Sequence, residues 1–153
     1  METQLSRDFT ATAFVVWQSK VLLHKHRKLD RWLPPGGHID ASELPDEAAV
    51  REVLEESGVA VELVGEADLS VTAPRQLIRP RGVQLESIYP GHEHIDLIYF
   101  ARPVEPYTGF LLPEELSLGW YSAADLADMD LTDEIVQWTG LALLELTPKD
   151  VPA

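Results

Sequence analysis

Arg51, Glu52, Glu55 and Glu56 put one cation and three carboxylates within six residues, and their spacing places them on one helical face. Glutamates at i, i+3 and i+4 are neighbours on a helix and repel one another. Such a face is either solvated or carries something positive. Carboxylate oxygens converging from a rigid element suit a hard divalent cation such as Mg²⁺. Arg51 stands four residues after Glu47 and four before Glu55, within pairing distance of either, and it can also reach back to Glu43. Just upstream lies PPGGH, residues 34–38, whose glycines allow backbone conformations in which a carbonyl approaches a metal.

The helix that must carry these groups is legible. Pro45 suits a first turn, Asp46 and Glu47 suit the positive end of the helix dipole, and Gly58 suits a left-handed C-terminal cap. Between them Ala48, Ala49, Val50, Val53 and Leu54 form an apolar stripe, predicting a helix over 45–57. With x for any residue and U for an aliphatic one, residues 37–59 read G-x5-E-x7-R-E-U-x-E-E-x-G-U. A match of that many specified places arises by chance on the order of once in a billion windows.

This segment resembles the signature of the Nudix family, hydrolases of nucleoside diphosphates linked to another moiety. The resemblance implies an α/β fold, an α/β/α sandwich with a mixed β-sheet between helices. It implies dependence on Mg²⁺, with Mn²⁺ as substitute, and water attack on a phosphorus of a pyrophosphate. The Gly37 carbonyl, Glu52, Glu55 and Glu56 would surround the metal ions, with Glu52 the general base or a bridging ligand. Arg51 and Glu43 would orient them. Many members resembling this chain add a metal-binding glutamate from a loop before a late strand, here Glu114 or Glu115. Pro74, about fifteen residues past the signature, resembles the ADP-ribose-hydrolysing branch. A nucleoside triphosphate stays an equal substrate candidate, and a nucleotide-binding domain that does not cleave is the alternative.

The whole chain sets bounds on these expectations. Its 153 residues with 45% hydrophobic content predict one globular domain over 1–153. There is no cysteine, no membrane-length apolar run and no signal-peptide pattern, so a cytoplasmic protein without a membrane partner is expected. The formal charge of −14, from 12 basic and 26 acidic residues, argues against long nucleic acid but allows a small nucleotide arriving with Mg²⁺.

Residues 9–17 and 20–26 predict a hairpin about Gln18-Ser19. Lys25, Arg27, Lys28 and Arg31 then form a basic loop, and Arg75, Arg79 and Arg81 a second cluster within 72–90. Arg27, Arg31, His38, Arg75 and Arg79 are candidate grips for substrate phosphates. Further elements are expected as a long strand over 59–71 broken near Gly65 or Glu66, an irregular loop or loose hairpin over 72–90, and strands over 94–104 and 118–122. A short helical turn at 123–127 and a closing helix at 131–146, capped by Thr132, complete a mixed sheet between helices. An exposed strand or the first hairpin could mediate a homodimer. Trp32, Tyr89, Tyr107 and Phe110 are candidates to stack on a base. His92, His94 and Asp96 alternate on one strand face and match a transition-metal donor set. They are read instead as a polar strand end near the cleft, and none is assigned as a ligand.

Overall fold

The computed structural model describes residues 4–109, 112 and 117–149. Its centre is β1 (Ser6–Trp17), a twelve-residue strand lying parallel to β7 (His92–Pro103) in register from Ser6 opposite His92 to Val15 opposite Ala101. The strand order is β3-β2-β1-β7-β5, where β2 is Lys20–His26, β3 Arg31–Leu33 and β5 Val61–Val64. β4 (Gly36–His38) pairs with β1, β6 (Gly82–Tyr89) with β7, and β8 (Gly119–Ser122) with β2.

Alternation along β1 divides the core into two layers, because successive strand side chains point to opposite faces. Ala11, Ala13 and Val15 meet Ala48, Ala49 and Val53 of α1 (Pro45–Ser57) on one face. Phe14 and Val16 meet Ile135, Ala142 and Leu146 of α3 (Asp133–Leu146) on the other. β7 splits the same way, Tyr99 and Ala101 against Ile98 and Phe100. A mixed sheet between helices is therefore present, as the sequence implied. Alanine opposing alanine lets α1 lie close on the sheet, and that closeness brings its glutamates to β4.

Helix α1 has the predicted bounds, with Pro45 in the first turn and Gly58 left-handed at φ 75°, its N–H donating to the Leu54 carbonyl. The hairpin turn is at Gln18-Ser19, both at positive φ as a right-twisted hairpin requires. Thr132 does cap α3, but its hydroxyl makes no capping bond. The short α2 (Ala123–Ala127) has a full capping box between Ser122 and Asp125.

Two expectations need correction. The long strand over 59–71 is only β5, and residues 65–81 form no helix or strand. The second half of 72–90 is neither an irregular loop nor a hairpin within that stretch, because residues 82–89 form β6 against β7. β6 was hidden because it turns Gln84 and Glu86 inward while Val83, Leu85 and Tyr89 are exposed, the reverse of the usual pattern. Among the described residues, no helix is long and apolar enough to cross a membrane.

The alanine contact yields a stability prediction. Ala48→Leu should cost about 1–3 kcal/mol through overpacking, whereas Leu54→Ala, on the exposed face of α1, should change stability by less than about 0.5 kcal/mol. Urea denaturation of both variants measures this, and equal costs would contradict the close approach.

Candidate active site

Arg51 is the hub of the signature segment. Its Nε and Nη2 donate to both oxygens of Glu43 at 2.7 and 2.9 Å, a two-pronged ion pair. Nη1 donates to Glu52 at 2.9 Å and to Glu55 at 3.1 Å, and Nη2 to the His38 carbonyl at 3.0 Å. One guanidinium thus ties the 39–44 loop, the end of β4 and two turns of α1 together. Glu47, equally near in sequence, is not among its partners. The paired guanidinium holds the Glu43 carboxyl below the usual range, and Glu43 with Glu52 raises the Arg51 pKa further.

The glycines act through space rather than through unusual dihedrals. Gly36 and Gly37 are extended in β4, paired with Thr12 and Ala11, and neither has a positive φ. A Cβ on Gly37 would sit 2.5 Å from Glu52 Oε1, and one on Gly36 2.5 Å from Thr12 Oγ1. Only a residue without a side chain lets the helix glutamates lie against this strand.

Glu56 is the strained member of the set. Burial, and then the neighbouring Glu52 charge, push its carboxyl up to about 8, and its Oε2 is enclosed without a hydrogen-bond partner. His24 Nε2 lies 3.4 Å away, but burial and His26 lower the His24 pKa, disfavouring a compensating imidazolium. A buried, unpartnered carboxylate oxygen beside a second carboxylate fits a divalent cation. Gly37, Glu52, Glu55 and Glu56 therefore fit the ion set implied by the resemblance. Glu114 and Glu115 lie outside the described residues.

A cavity of about 630 Å³ opens beside this set, with Gly37 and Glu56 in its wall. On one side it is lined by Asp96, Gln84, Glu86 and Glu134, polar groups from β7, β6 and α3 that sequence reasoning did not assign. Thr10 and Thr12 donate to Asp96 at 2.9–3.0 Å, yet burial still raises its carboxyl to about 6. Glu134 is also raised, by burial and Glu86, and accepts from Gln84, whose own carbonyl accepts from Trp138. The sequence signal for this side is the odd-even polarity of β6, within the stretch expected as an irregular loop or loose hairpin.

The remaining candidates separate. His38 and Lys28 line the cavity, and Arg31 reaches it indirectly by donating to Glu86 at 2.8 Å. Arg27 lies in the exposed loop after β2. Arg75 and Arg79 lie on the 65–81 connection, where Arg79 pairs with Asp68 at 3.5 Å, and neither is in the cavity lining. Tyr89 lines the cavity, whereas Trp32 packs on Tyr121, and Tyr107 packs on Trp17 and Trp120. Phe110 is outside the described residues. Asp96 is turned to the two threonines, while His92 and His94 gather around Asp8. Burial, with His38 and His92 nearby, lowers the His94 pKa.

Comparison with known proteins places these features. A family model described as the NUDIX domain matches residues 7–142. A solved hydrolase of the NUDIX family from Clostridium perfringens is 37% identical, covers 93% of this chain and 99% of its own, and superposes with a TM-score of 0.79. A putative 8-oxo-dGTP diphosphatase of Bacillus subtilis is 43% identical over 53 residues, 33% of this chain and 36% of that protein. Diphosphoinositol polyphosphate phosphohydrolase 3-alpha of Mus musculus is 54% identical over 39 residues, 26% of this chain and 24% of that protein. The matches to these two relatives therefore span only about a third and a quarter of their lengths.

The electrostatics of Glu56 set a pH prediction. Its folded value of about 8 exceeds the ordinary 4.5, so in metal-free protein its contribution to stability is full below the unfolded value and is lost as pH rises toward the folded one. A bound cation reverses the preference, favouring the carboxylate. The melting-temperature gain from saturating Mg²⁺ should therefore grow between about pH 5 and about pH 9, and shrink in Glu56→Gln. A gain independent of pH, followed by scanning fluorimetry, would contradict this.

Proposed function

Because the chain belongs to the Nudix family, we propose that it hydrolyses the pyrophosphate linkage of a small nucleoside diphosphate derivative in the presence of Mg²⁺ or Mn²⁺. The observation that carries this reading is the enclosed, unpartnered Glu56 oxygen beside Glu52, on a helix whose glutamates are oriented by one arginine. That arrangement is costly unless a cation is its partner.

Glu52, Glu55, Glu56 and the Gly37 carbonyl would hold the ions, with Glu115 a further candidate from the sequence. When bound, the ions supply neutralisation of phosphate oxygens and a lowered pKa for water. Glu52, with one oxygen held by Arg51, takes a proton from the attacking water as its oxygen bonds to phosphorus. The bridging P–O bond breaks and its electron pair leaves with the departing phosphate. Arg51 keeps Glu52 aimed; the Glu43 pair keeps Arg51 in place.

The cavity volume lies within the ordinary range for a small ligand. Tyr89 supplies an exposed ring for stacking, and Asp96 and Glu134 supply acceptors for the amino edge of a base. Lys28 and His38 in the lining, and Arg31 beside it, are candidate groups for phosphates, with Arg27, Arg75 and Arg79 candidates from neighbouring loops. The two curated relatives are named for substrates that both contain phosphoanhydrides. ADP-ribose-like compounds and nucleoside triphosphates are accordingly the compounds to screen.

Glu52→Gln and Glu56→Gln should each lower kcat by about 10²–10⁴ with the fold intact by circular dichroism. The assay follows phosphate and mononucleotide release from ADP-ribose, nucleotide sugars, dinucleoside polyphosphates and nucleoside triphosphates with each metal. Near-normal turnover in both variants would remove these residues from the chemistry. Tight nucleotide binding without any product would instead identify a non-cleaving sensor domain.

A further inference from the structure

A second donor cluster stands apart from the helix glutamates. Asp8, His92 and His94 each present one ligand atom, and the three atoms lie within 4.8 Å of one another. Two neighbouring strands build the cluster. His92 and His94 are two apart on β7 and so share a face, and the parallel register sets Asp8 of β1 beside His94. None of the three belongs to the Arg51 set.

The atoms meet at a spacing that suits a cation. Asp8 Oδ2 is 3.4 Å from His92 Nε2. Donors of a tetrahedral zinc ion with bonds of about 2.0–2.1 Å lie roughly 3.3 Å apart, so this pair is already at ligand spacing. On its other side, His92 Nδ1 is 2.8 Å from Ser6 Oγ, which is 3.3 Å from the Gly91 carbonyl. In the tautomer in which Ser6 donates to the Gly91 carbonyl and accepts from His92 Nδ1–H, the Nε2 lone pair is aimed at the Asp8 carboxylate. Two acceptors then face each other. A hydrogen-bond partner on the far nitrogen is the usual orienting device for a metal-bound histidine. His92 is only 9% exposed and stacks on Tyr89 at 4.9 Å, so its ring is held. A phosphate grip is the weaker alternative, because the Asp8 carboxylate stands among the imidazoles and repels an anion.

We propose that Asp8, His92 and His94 form a binding site for a borderline divalent transition ion, with Zn²⁺ the probe of choice. Two imidazoles and one carboxylate are a donor set for such ions and not for Mg²⁺. Three protein ligands leave a fourth position open, as in sites that exchange water for a ligand. All three residues line the cavity that also contains Gly37 and Glu56. The open position is therefore offered to an anionic oxygen, phosphate or carboxylate, of the compound the cavity holds. His38, whose Nε2 is 3.0 Å from Asp8 Oδ2, borders the cluster and orients its carboxylate.

The test is Zn²⁺ titration of the full chain, freed of any affinity tag, by calorimetry, with Co²⁺ absorption reporting coordination number. With Mg²⁺ in excess to occupy the helix glutamates, the site predicts one equivalent bound and a four-coordinate Co²⁺ spectrum. Binding should fall by about tenfold or more in Ser6→Ala, and further in His94→Gln and Asp8→Asn, both at positions open enough to keep the fold. Glu52→Gln and Glu56→Gln should leave it unchanged. Absence of stoichiometric binding would overturn the proposal. So would binding that survives His94→Gln and Asp8→Asn, or that is lost only in the glutamate variants. These outcomes are read without substrate, so they stand or fall separately from the hydrolase assignment.

Discussion

The charge balance around Arg51 is the constraint on which the signature segment depends. A lone guanidinium satisfies three carboxylates and a main-chain carbonyl within 3.1 Å. Without it, Glu52, Glu55 and Glu56 would repel along one helix face, and the 39–44 loop would lose its attachment. Lysine offers no equivalent, since its point charge cannot grip Glu43 with two parallel bonds and still donate elsewhere. The sequence separations involved are at most thirteen residues, so the arrangement is nearly complete within one helix and the loop before it.

That locality explains what the sequence disclosed. The bounds of α1, its Gly58 cap and the approach of Arg51 to Glu43 follow from spacing along one element. The role of Gly37 was half legible, since its importance was plain while its reason was not. Spacing cannot show that Glu52 occupies the place of a side chain on the neighbouring strand. The cavity was beyond reach for the same cause, because Thr10, Gln84, Asp96 and Glu134 meet only after four elements assemble. β6 misled further by burying its polar residues. Likewise the His92–His94 pair was visible, but its carboxylate neighbour came from β1 and not from the same strand.

The electrostatic character of the cavity follows from this assembly. Asp8, Glu56, Glu86, Asp96 and Glu134 line it, with Lys28 the sole lysine or arginine in that lining among the described residues and Arg31 paired to Glu86 from outside it. Burial raises Glu56, Asp96 and Glu134 toward the neutral pH range. The wall is thus a reserve of carboxyls that exchange protons for cations. An anionic ligand is favoured there only in company with positive charge, which makes the acidity of the chain as a whole less paradoxical for a protein that handles phosphates.

The parallel pairing of β1 with β7 carries a consequence for how the molecule comes into being. Residues 86 apart in sequence must join before the central strand has its partner on that side. At about 5–20 residues per second of synthesis, the apolar stretch 11–16 emerges several seconds before its partner. During that interval it is an open edge able to pair with another chain. The hairpin with β2 at Val16 and Trp17 and the β4 pairing at residues 10–12 cover one side early, but the other waits for β7. Pairing of this open edge with another chain during synthesis is therefore a hazard that the architecture itself carries.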